Sequence, residues 1–332
     1  MTGGGLFRVN QEDVLASNWF DPARPFCYGQ FSPMRYWLEY LPVRLIAFIL
    51  RWLPRPVARA CGGAIAILAY WAVPRLRSVG RQNLELAFPE KSAEERERIL
   101  KAEYLSLGRL LAEVPKFPAY TAKNVERIAI YDGLENYTEA AARGKGVLLM
   151  TAHLGGWEIG SFVHSLHGSW INIIVRNLDN PLLDRWVRQM REMHGNRTHD
   201  KNEFARGMLA AMKRGETVGA LMDTNMTPPQ GVFVNFFGTA ACTAAGLARV
   251  ARHTGAAVVP AFTLWDDKLG KYRIRFEPAI PLVMTDDAEA DAVNNTQNYT
   301  AAIEMAIRKN PEQWLWVHRR WKTRPPGEPL LY

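Results

Sequence analysis

Gly146-Val147-Leu148-Leu149-Met150-Thr151-Ala152-His153-Leu154-Gly155-Gly156-Trp157-Glu158 is the stretch on which the reading of this chain turns. Val147 to Met150 is a short run of β-branched and Leu-type residues that reads as a buried strand. Two glycines then allow a tight turn into a helix over 156–167. A histidine at the C-terminal end of such a strand stands where open α/β sheets bind their ligands. The first turn of the following helix can bring the Glu158 carboxylate back to one imidazole nitrogen, leaving the other to take a proton. Spacing alone equally allows a histidine that caps a helix and a glutamate that faces solvent.

Outward from this stretch, short apolar runs alternate with helical periodicity, the signature of an α/β sheet. Further strands are expected at Ile171 to Val175, Val218 to Met222, Ala257 to Phe262 and Tyr272 to Phe276. Helices are expected at 133–143, 180–194, 202–213, 243–254 and 291–309. Upstream, Ser92 caps a helix with Ile99, Ala102, Leu105 and Leu110 along one face. Residues 34 to 74 read as two or three helices broken at Pro42, Pro54, Pro56 and Pro74. The Gly-, Pro-, Asp- and Asn-rich residues 1–33 read as an irregular arm. The expected organisation is the arm over 1–33, an Arg-rich apolar helical segment over 34–80, and one α/β domain over 81–332 built on a mixed central sheet flanked by helices.

The 332 residues carry a formal charge of +8. Between Arg24 and Arg81 lie nine arginines, no lysine and one acid, Glu39, so this segment alone accounts for the excess. There the arginines alternate with Tyr36-Trp37-Leu38, Leu45 to Leu50, Trp52-Leu53 and Ala60 to Val73, the mixture of a surface that meets lipid headgroups. Ordinary core helices of a soluble domain are the plainer reading of the same runs. The longest apolar run of this segment, Ala60 to Val73, has 14 residues, about 21 Å as a helix against a hydrocarbon core of about 30 Å. Glu12, Asp13 and Asp21 and the lack of a continuous apolar stretch argue against a signal peptide over the first 30 residues. Cys27, Cys61 and Cys242 are too scattered for a disulfide scaffold or a zinc site. A nucleic-acid partner is not expected, because the basic stretch is interleaved with apolar runs and no binding motif accompanies it.

Several other stretches join His153-Leu-Gly-Gly-Trp-Glu158 in a fixed order. These are Arg81-Gln-Asn83 with Phe88-Pro-Glu upstream, then Val175-Arg176-Asn177, Met222-Asp223-Thr224-Asn225, Asn235-Phe236-Phe237-Gly238 with Thr243, and Gln313-Trp-Leu-Trp-Val-His318-Arg-Arg320-Trp-Lys322. The set resembles the bacterial lipid A biosynthesis acyltransferases, the lauroyl and myristoyl transferases, within the wider glycerolipid acyltransferases that carry an HxxxxD/E motif. The resemblance spans roughly residues 35 to 332. It implies that His153 is the general base for an acceptor hydroxyl, that Glu158 orients it, that Arg176 binds phosphate or the acyl donor, and that Asp223 is the acid of a family Asp-Gln pair. This chain departs from the family in having Gly156 where Asn is usual and Thr224 where Gln is usual.

Acyl transfer from a thioester to an alcohol needs a base, donors for the tetrahedral oxyanion and a dry groove, and no cofactor beyond the acyl donor itself. No GxSxG elbow is present and no cysteine adjoins a histidine, so direct attack by the acceptor hydroxyl is preferred to an acyl-enzyme. Arg176 or the backbone near Gly155 and Gly156 are the oxyanion donors expected. Phe237, Gly238 and Thr243 are expected at the substrate. The period of the tail suggests a final strand over 314–321, with aromatics on one face and His318 and Arg320 turned to lipid phosphate on the other. Arg176 could also be a surface arginine, Asp223 a loop cap, and the tail an edge strand. The expected function is transfer of a fatty acyl chain from acyl carrier protein, or acyl-CoA, to a hydroxyl of a lipid A precursor at the cytoplasmic face of the inner membrane. An acyltransferase for another glycolipid, such as a phosphatidylinositol mannoside, and a non-catalytic lipid-binding scaffold are the alternatives.

Overall fold

Three prolines punctuate the N-terminal helices and a fourth does not. The computed structural model describes residues 33–200 and 204–332, so the expected arm before Pro33 lies outside the described residues. Helix α1 runs Pro33–Trp52, α2 Arg55–Ala72 and α3 Pro74–Ala87. Pro54 precedes α2, and Pro56 and Pro74 sit in first turns, where a missing N–H costs no hydrogen bond. Pro42, expected as a break, lies inside α1. The carbonyl that it leaves unpaired is that of Leu38, an exposed residue, so water can serve it.

Helix α4, Ala93–Glu113, opens on a capping box. The Ser92 hydroxyl accepts from the Glu95 N–H and the Glu95 carboxylate accepts from the Ser92 N–H. Its buried face is Leu100, Glu103, Tyr104, Ser106, Gly108 and Leu110, whereas Leu105 of the expected stripe is exposed. The cause is α2, which runs antiparallel against α4 at backbone distance. A Cβ on Gly62 would overlap the Gly108 carbonyl, and a Cβ on Gly108 would overlap that of Gly62. The buried face follows this seam, not the most apolar stripe.

The rest is an α/β layer structure. Its strands are β1 (Ala129–Asp132), β2 (Val147–Thr151), β3 (Ile171–Val175), β4 (Arg197–Asp200), β5 (Thr217–Leu221), β6 (Gly231–Phe236), β7 (Thr239–Ala244), β8 (Ala257–Asp266) and β9 (Lys271–Phe276). Between and after them lie α5 (Leu134–Ala142), α6 (Trp157–Leu166), α7 (Pro181–Arg191), α8 (Phe204–Lys213), α9 (Gly246–Thr254) and α10 (Ala288–Lys309). The seven-stranded sheet has the order β1-β9-β8-β2-β5-β3-β4. Strands β8, β2, β5, β3 and β4 are parallel, and β9 turns back antiparallel to β8. All five expected strands are present. Apolar clusters cover both faces of the sheet.

Two further features differ from expectation. An antiparallel hairpin, β6–β7, turns through Phe237 (φ 53°) and Gly238 (φ 77°) and packs against α10. The positive φ at both central residues matches the twist of a tight hairpin. The expected final strand over 314–321 does not form, apart from a single bridge between Trp314 and Leu154. In a strand, residues 314, 316, 318 and 320 would share one face. Trp314, Trp316, Arg320 and Trp321 are all buried, and the segment runs through the core as turns and coil.

Candidate active site

The register of β2 and β5 levels their C-terminal ends, pairing Met150 with Ala220 and Thr151 with Leu221. The Met222 N–H extends the pairing by donating to the Thr151 carbonyl. His153 and Asp223 each stand two residues beyond a strand end, and they meet. The His153 main-chain N–H donates to Asp223 Oδ2 at 2.8 Å, and His153 Nδ1 lies 2.9 Å from Asp223 Oδ1. Trp314 Nε1–H also donates to Oδ2, at 2.8 Å. Burial alone would raise the Asp223 carboxyl, but the charge of His153 and these three donors hold it down to about 2. An ionised Asp223 requires the proton on His153 Nδ1. Nε2 is then the lone-pair nitrogen, and it has no hydrogen-bond partner among the described residues. The side chain is 22% exposed. Burial pulls the imidazole down, but the Asp223 charge and hydrogen bond outweigh it and raise its pKa, with Glu158 adding to the rise.

Glu158 does not reach the imidazole as expected. On α6, its carboxylate turns to α7, where Arg191 Nε donates to Oε2 at 2.9 Å and Nη2 to Oε1 at 2.5 Å. Burial opposes ionisation of Glu158, but Arg191 wins and holds the carboxyl below its usual range. Glu158 therefore acts on His153 through charge, while Asp223 supplies the orienting hydrogen bond. The Trp157 ring stands edge-on to the imidazole, 5.2 Å between centroids.

The turn between them is locked. Gly155 has φ +65°, and a Cβ there would overlap the Thr263 carbonyl oxygen. The Gly155 N–H donates to the Gln313 carbonyl at 2.8 Å and the Gly156 N–H to that of Thr263 at 2.7 Å. Both amides expected as oxyanion donors are thus committed within the protein. Arg176, the other expected donor, lies on an exposed loop and pairs with Asp179 at 3.2 Å.

The remaining expected residues lie on the β6–β7 hairpin and on the tail. Arg320 is fully buried. It donates to the Cys242 carbonyl at 2.9 Å, to the Thr224 carbonyl at 3.3 Å and to the Thr243 hydroxyl, so it ties the tail to the hairpin and is closed to a lipid phosphate. Desolvation lowers its pKa to about 10. Thr243 and Phe237 are buried, and Gly238 completes the hairpin turn. His318 Nε2 accepts the Asn225 N–H at 3.1 Å. Burial, with His153 and Arg320 assisting against Asp223, lowers its pKa to about 4, so His318 is neutral at pH 7 and no cationic ligand for phosphate. Asn83 holds the tail from below, donating to the Trp316 and His318 carbonyls at 2.6 and 2.7 Å. Among the described residues, no three His, Cys, Asp or Glu side chains gather as a metal-ligand set.

Reading the residues alone missed the pairing of Asp223 with His153, the Trp314 donor and Arg191. The available signal was that Asp223, like His153, follows an apolar strand directly. Arg191 carried none, because its partnership depends on how α7 packs on α6.

The family model described as bacterial lipid A biosynthesis acyltransferase matches residues 29–323. The chain is 31% identical to the lipid A biosynthesis palmitoleoyltransferase of Escherichia coli (strain K12) over 304 residues, 91% of this chain and 97% of that protein. It is 31% identical to the lauroyltransferase of the same organism over 300 residues, 90% and 95% of the two chains, and 27% identical to its myristoyltransferase over 306 residues, 90% and 91%. With the match spanning nearly the whole chain and the His153 loop at the C-terminal edge of the sheet, this protein belongs to the bacterial lipid A biosynthesis acyltransferases and is an O-acyltransferase.

Proposed function

We propose that the protein transfers a fatty acyl chain from the thioester of an acyl carrier protein, or from acyl-CoA, to a hydroxyl of a lipid A precursor. The reaction takes place at the cytoplasmic face of the inner membrane. The observation that carries the reading is His153, held at Nδ1 by an ionised, buried Asp223 with Nε2 unengaged. In this reading Nε2 takes the proton of the acceptor hydroxyl as its oxygen attacks the thioester carbonyl. The tetrahedral intermediate collapses with loss of the C–S bond, and the imidazolium returns its proton to the departing thiolate. Asp223 fixes the tautomer and stabilises the imidazolium. The Glu158–Arg191 pair adds negative potential beside the ring and fixes the start of α6.

The membrane part of the reading rests on α1. Leu38, Leu41, Leu45, Phe48 and Trp52 recur at helical spacing and are exposed, with Arg35, Arg44 and Arg51 among them. Such a face suits an interface where rings and alkyl groups enter the lipid and guanidinium groups meet phosphate.

The test is acyl transfer by protein in mild detergent, with labelled acyl-carrier-protein donors against lipid A precursors and mannosylated phosphoinositides. Transfer to the precursors, falling about 10²–10⁴-fold in His153→Ala, is expected. Parent-level activity in that variant, or no acylation of any glycolipid, would overturn the reading.

A further inference from the structure

The close approach of α2 and α4 has an electrostatic result away from His153. At the Gly62–Gly108 seam the two helices bring Arg55, Arg59 and Arg109 over one indole, Trp265 at the end of β8. The guanidinium centres lie 5.7, 4.8 and 5.5 Å from its ring centroid. One carboxylate answers them. Glu113 takes Arg55 Nε at 2.6 Å on one oxygen and the Tyr120 hydroxyl at 3.2 Å on the other. A fourth cation, Lys116, donates to the Arg51 and Leu53 carbonyls. Arg59 has one long donation, 3.4 Å to the Gly270 carbonyl. Among the described residues Arg109 has no hydrogen-bond acceptor and no ion-pair partner. Burial first, then repulsion from Arg55 and Arg109 against the pull of Glu113, lowers the pKa of Arg59. Arg55 Nη2 and Arg109 Nε are buried without acceptors. Cation–π contact with a single ring leaves this surplus of charge and donors unanswered.

The cluster also occupies a telling place. Strand β8 runs beside β2 and past its end, and Gly155 of the His153 loop is bridged to Thr263. Two residues on, the Trp265 N–H donates to Gln313 Oε1, and the Gln313 carbonyl accepts the Gly155 N–H. The arginines therefore share the sheet edge of His153. Helix α2, which carries Arg55 and Arg59, exposes Val57, Leu68 and Trp71. Half-buried guanidinium forks suit a compact, multiply charged oxyanion better than an extended acidic surface.

We propose that Arg59 and Arg109, with Arg55 behind them, form a phosphate-binding site that holds the phosphorylated head group of the acceptor lipid while His153 attends to its hydroxyl. The proposal rests on the acyl-transfer reading above for its acceptor. The site fixes the acceptor by its phosphate monoester and leaves the chemical step to the His153–Asp223 couple.

Two measurements test it on the full chain in neutral detergent. In kinetics, Arg59→Gln and Arg109→Gln should each raise the KM for a phosphorylated acceptor about tenfold or more, the size expected for a lost charged hydrogen bond. The kcat and the donor KM should hold, and Arg109→Lys should recover part of the loss. The same glycolipid stripped of phosphate should be equally poor for parent and variants. In calorimetry, dihexanoyl phosphatidic acid should bind the parent and bind both Gln variants at least tenfold more weakly, with inorganic phosphate binding far less tightly. A rise in donor KM alone would assign the cluster to the carrier protein and overturn the proposal, as would inorganic phosphate binding as tightly as the lipid. Unchanged lipid binding in both variants would overturn it whatever the kinetics. If the parent acylates no glycolipid but its lipid binding depends on Arg59 and Arg109, the acyl-transfer reading falls and the phosphate site stands.

Discussion

His153 is held on two sides at once, by the main-chain N–H and by Nδ1, and both bonds end on Asp223. Asp223→Asn keeps the shape but presents one acceptor oxygen where the wild type has two. If that oxygen keeps the main-chain N–H, an amide NH₂ faces Nδ1, which must then accept, and the ring proton moves to Nε2. The base nitrogen is blocked, and the loss of kcat can reach roughly 10⁴-fold, as in serine-protease triads. The pH dependence has a definite sign. Asp223 raises the imidazole pKa, and the base works only when neutral, so activity in the parent falls as pH drops through that raised value. Without the carboxylate the pKa falls, and the acidic limb of the kcat/KM profile in Asp223→Asn moves to lower pH. A limb that stays in place would show that another group sets it. The place of His153 just beyond a strand was legible in the sequence. Its partner was not, because Asp223 becomes its neighbour only through the β8-β2-β5 order, which local spacing does not encode. Gly156 shows the converse. A departure from the family in sequence, it has a plain local cause, since a Cβ there would lie 2.6 Å from Tyr272 Cε1.

Helices and strands were readable where a period was strong and misread where tertiary packing set the outcome. The Ser92 cap and the five apolar strands needed only local chemistry. Strand β4, Arg-Thr-His-Asp, has no apolar pattern and exists because β3 offers an open edge. The hairpin strand β7, Thr-Ala-Ala-Cys-Thr-Ala, is too poor in large side chains to announce itself. The tail was misread because four buried large residues in eight resemble a strand, whereas hydrogen bonds to Asn83 of α3, to Cys242 of β7 and to Asp223 beyond β5 anchor it as coil. The α2–α4 seam carries a prediction at this scale. Gly62→Ala puts a methyl against the Gly108 carbonyl, main chain that cannot rotate away, so the helices must separate. Overpacking of this kind costs about 1–3 kcal/mol. Denaturant unfolding should show a lower midpoint at an unchanged slope. The same separation pulls Arg59 from Arg109, so phosphatidic acid binding should weaken with it. An unchanged midpoint would mean that α2 is not held at that seam.

At the scale of the molecule, apolar residues lie where a water-facing helix would place polar ones. Ala47 and Leu50 turn α1 inward, yet Leu45, Phe48 and Trp52 on its other side are 61%, 62% and 71% exposed. Among the described residues no single helix is long and apolar enough to cross a membrane. Helices α2 and α3, bent by 90° at their junction, pass such a test only as a broken pair. Their inner residues Tyr70, Val79 and Leu84 are packed in the protein, which favours lying on the lipid over crossing it. The sequence carried the mixture of Arg, Trp and Leu but not its orientation. Helix α1 has apolar residues all round, and only its docking decides which of them face outward: on α2 and α4, where Leu50 packs with Ala58 and Ala112, and on α7, through Asn180 to Tyr36 and Glu39 and through Arg44 over Trp186. Burying a large apolar side chain contributes about 1.5–3 kcal/mol when complete. Replacing Leu41, Leu45 and Phe48 together by Ser should therefore weaken lipid attachment by roughly 3 kcal/mol or more, at least about a hundredfold. Flotation with anionic liposomes reads this directly. The parent should float, the triple variant should stay at the bottom of the gradient, and both should keep acyl transfer in detergent, where no bilayer is needed. High salt should weaken flotation of the parent only in part, because salt screens the arginines but leaves the apolar stripe. A triple variant that floats as well as the parent would show that α1 is not the lipid-facing surface.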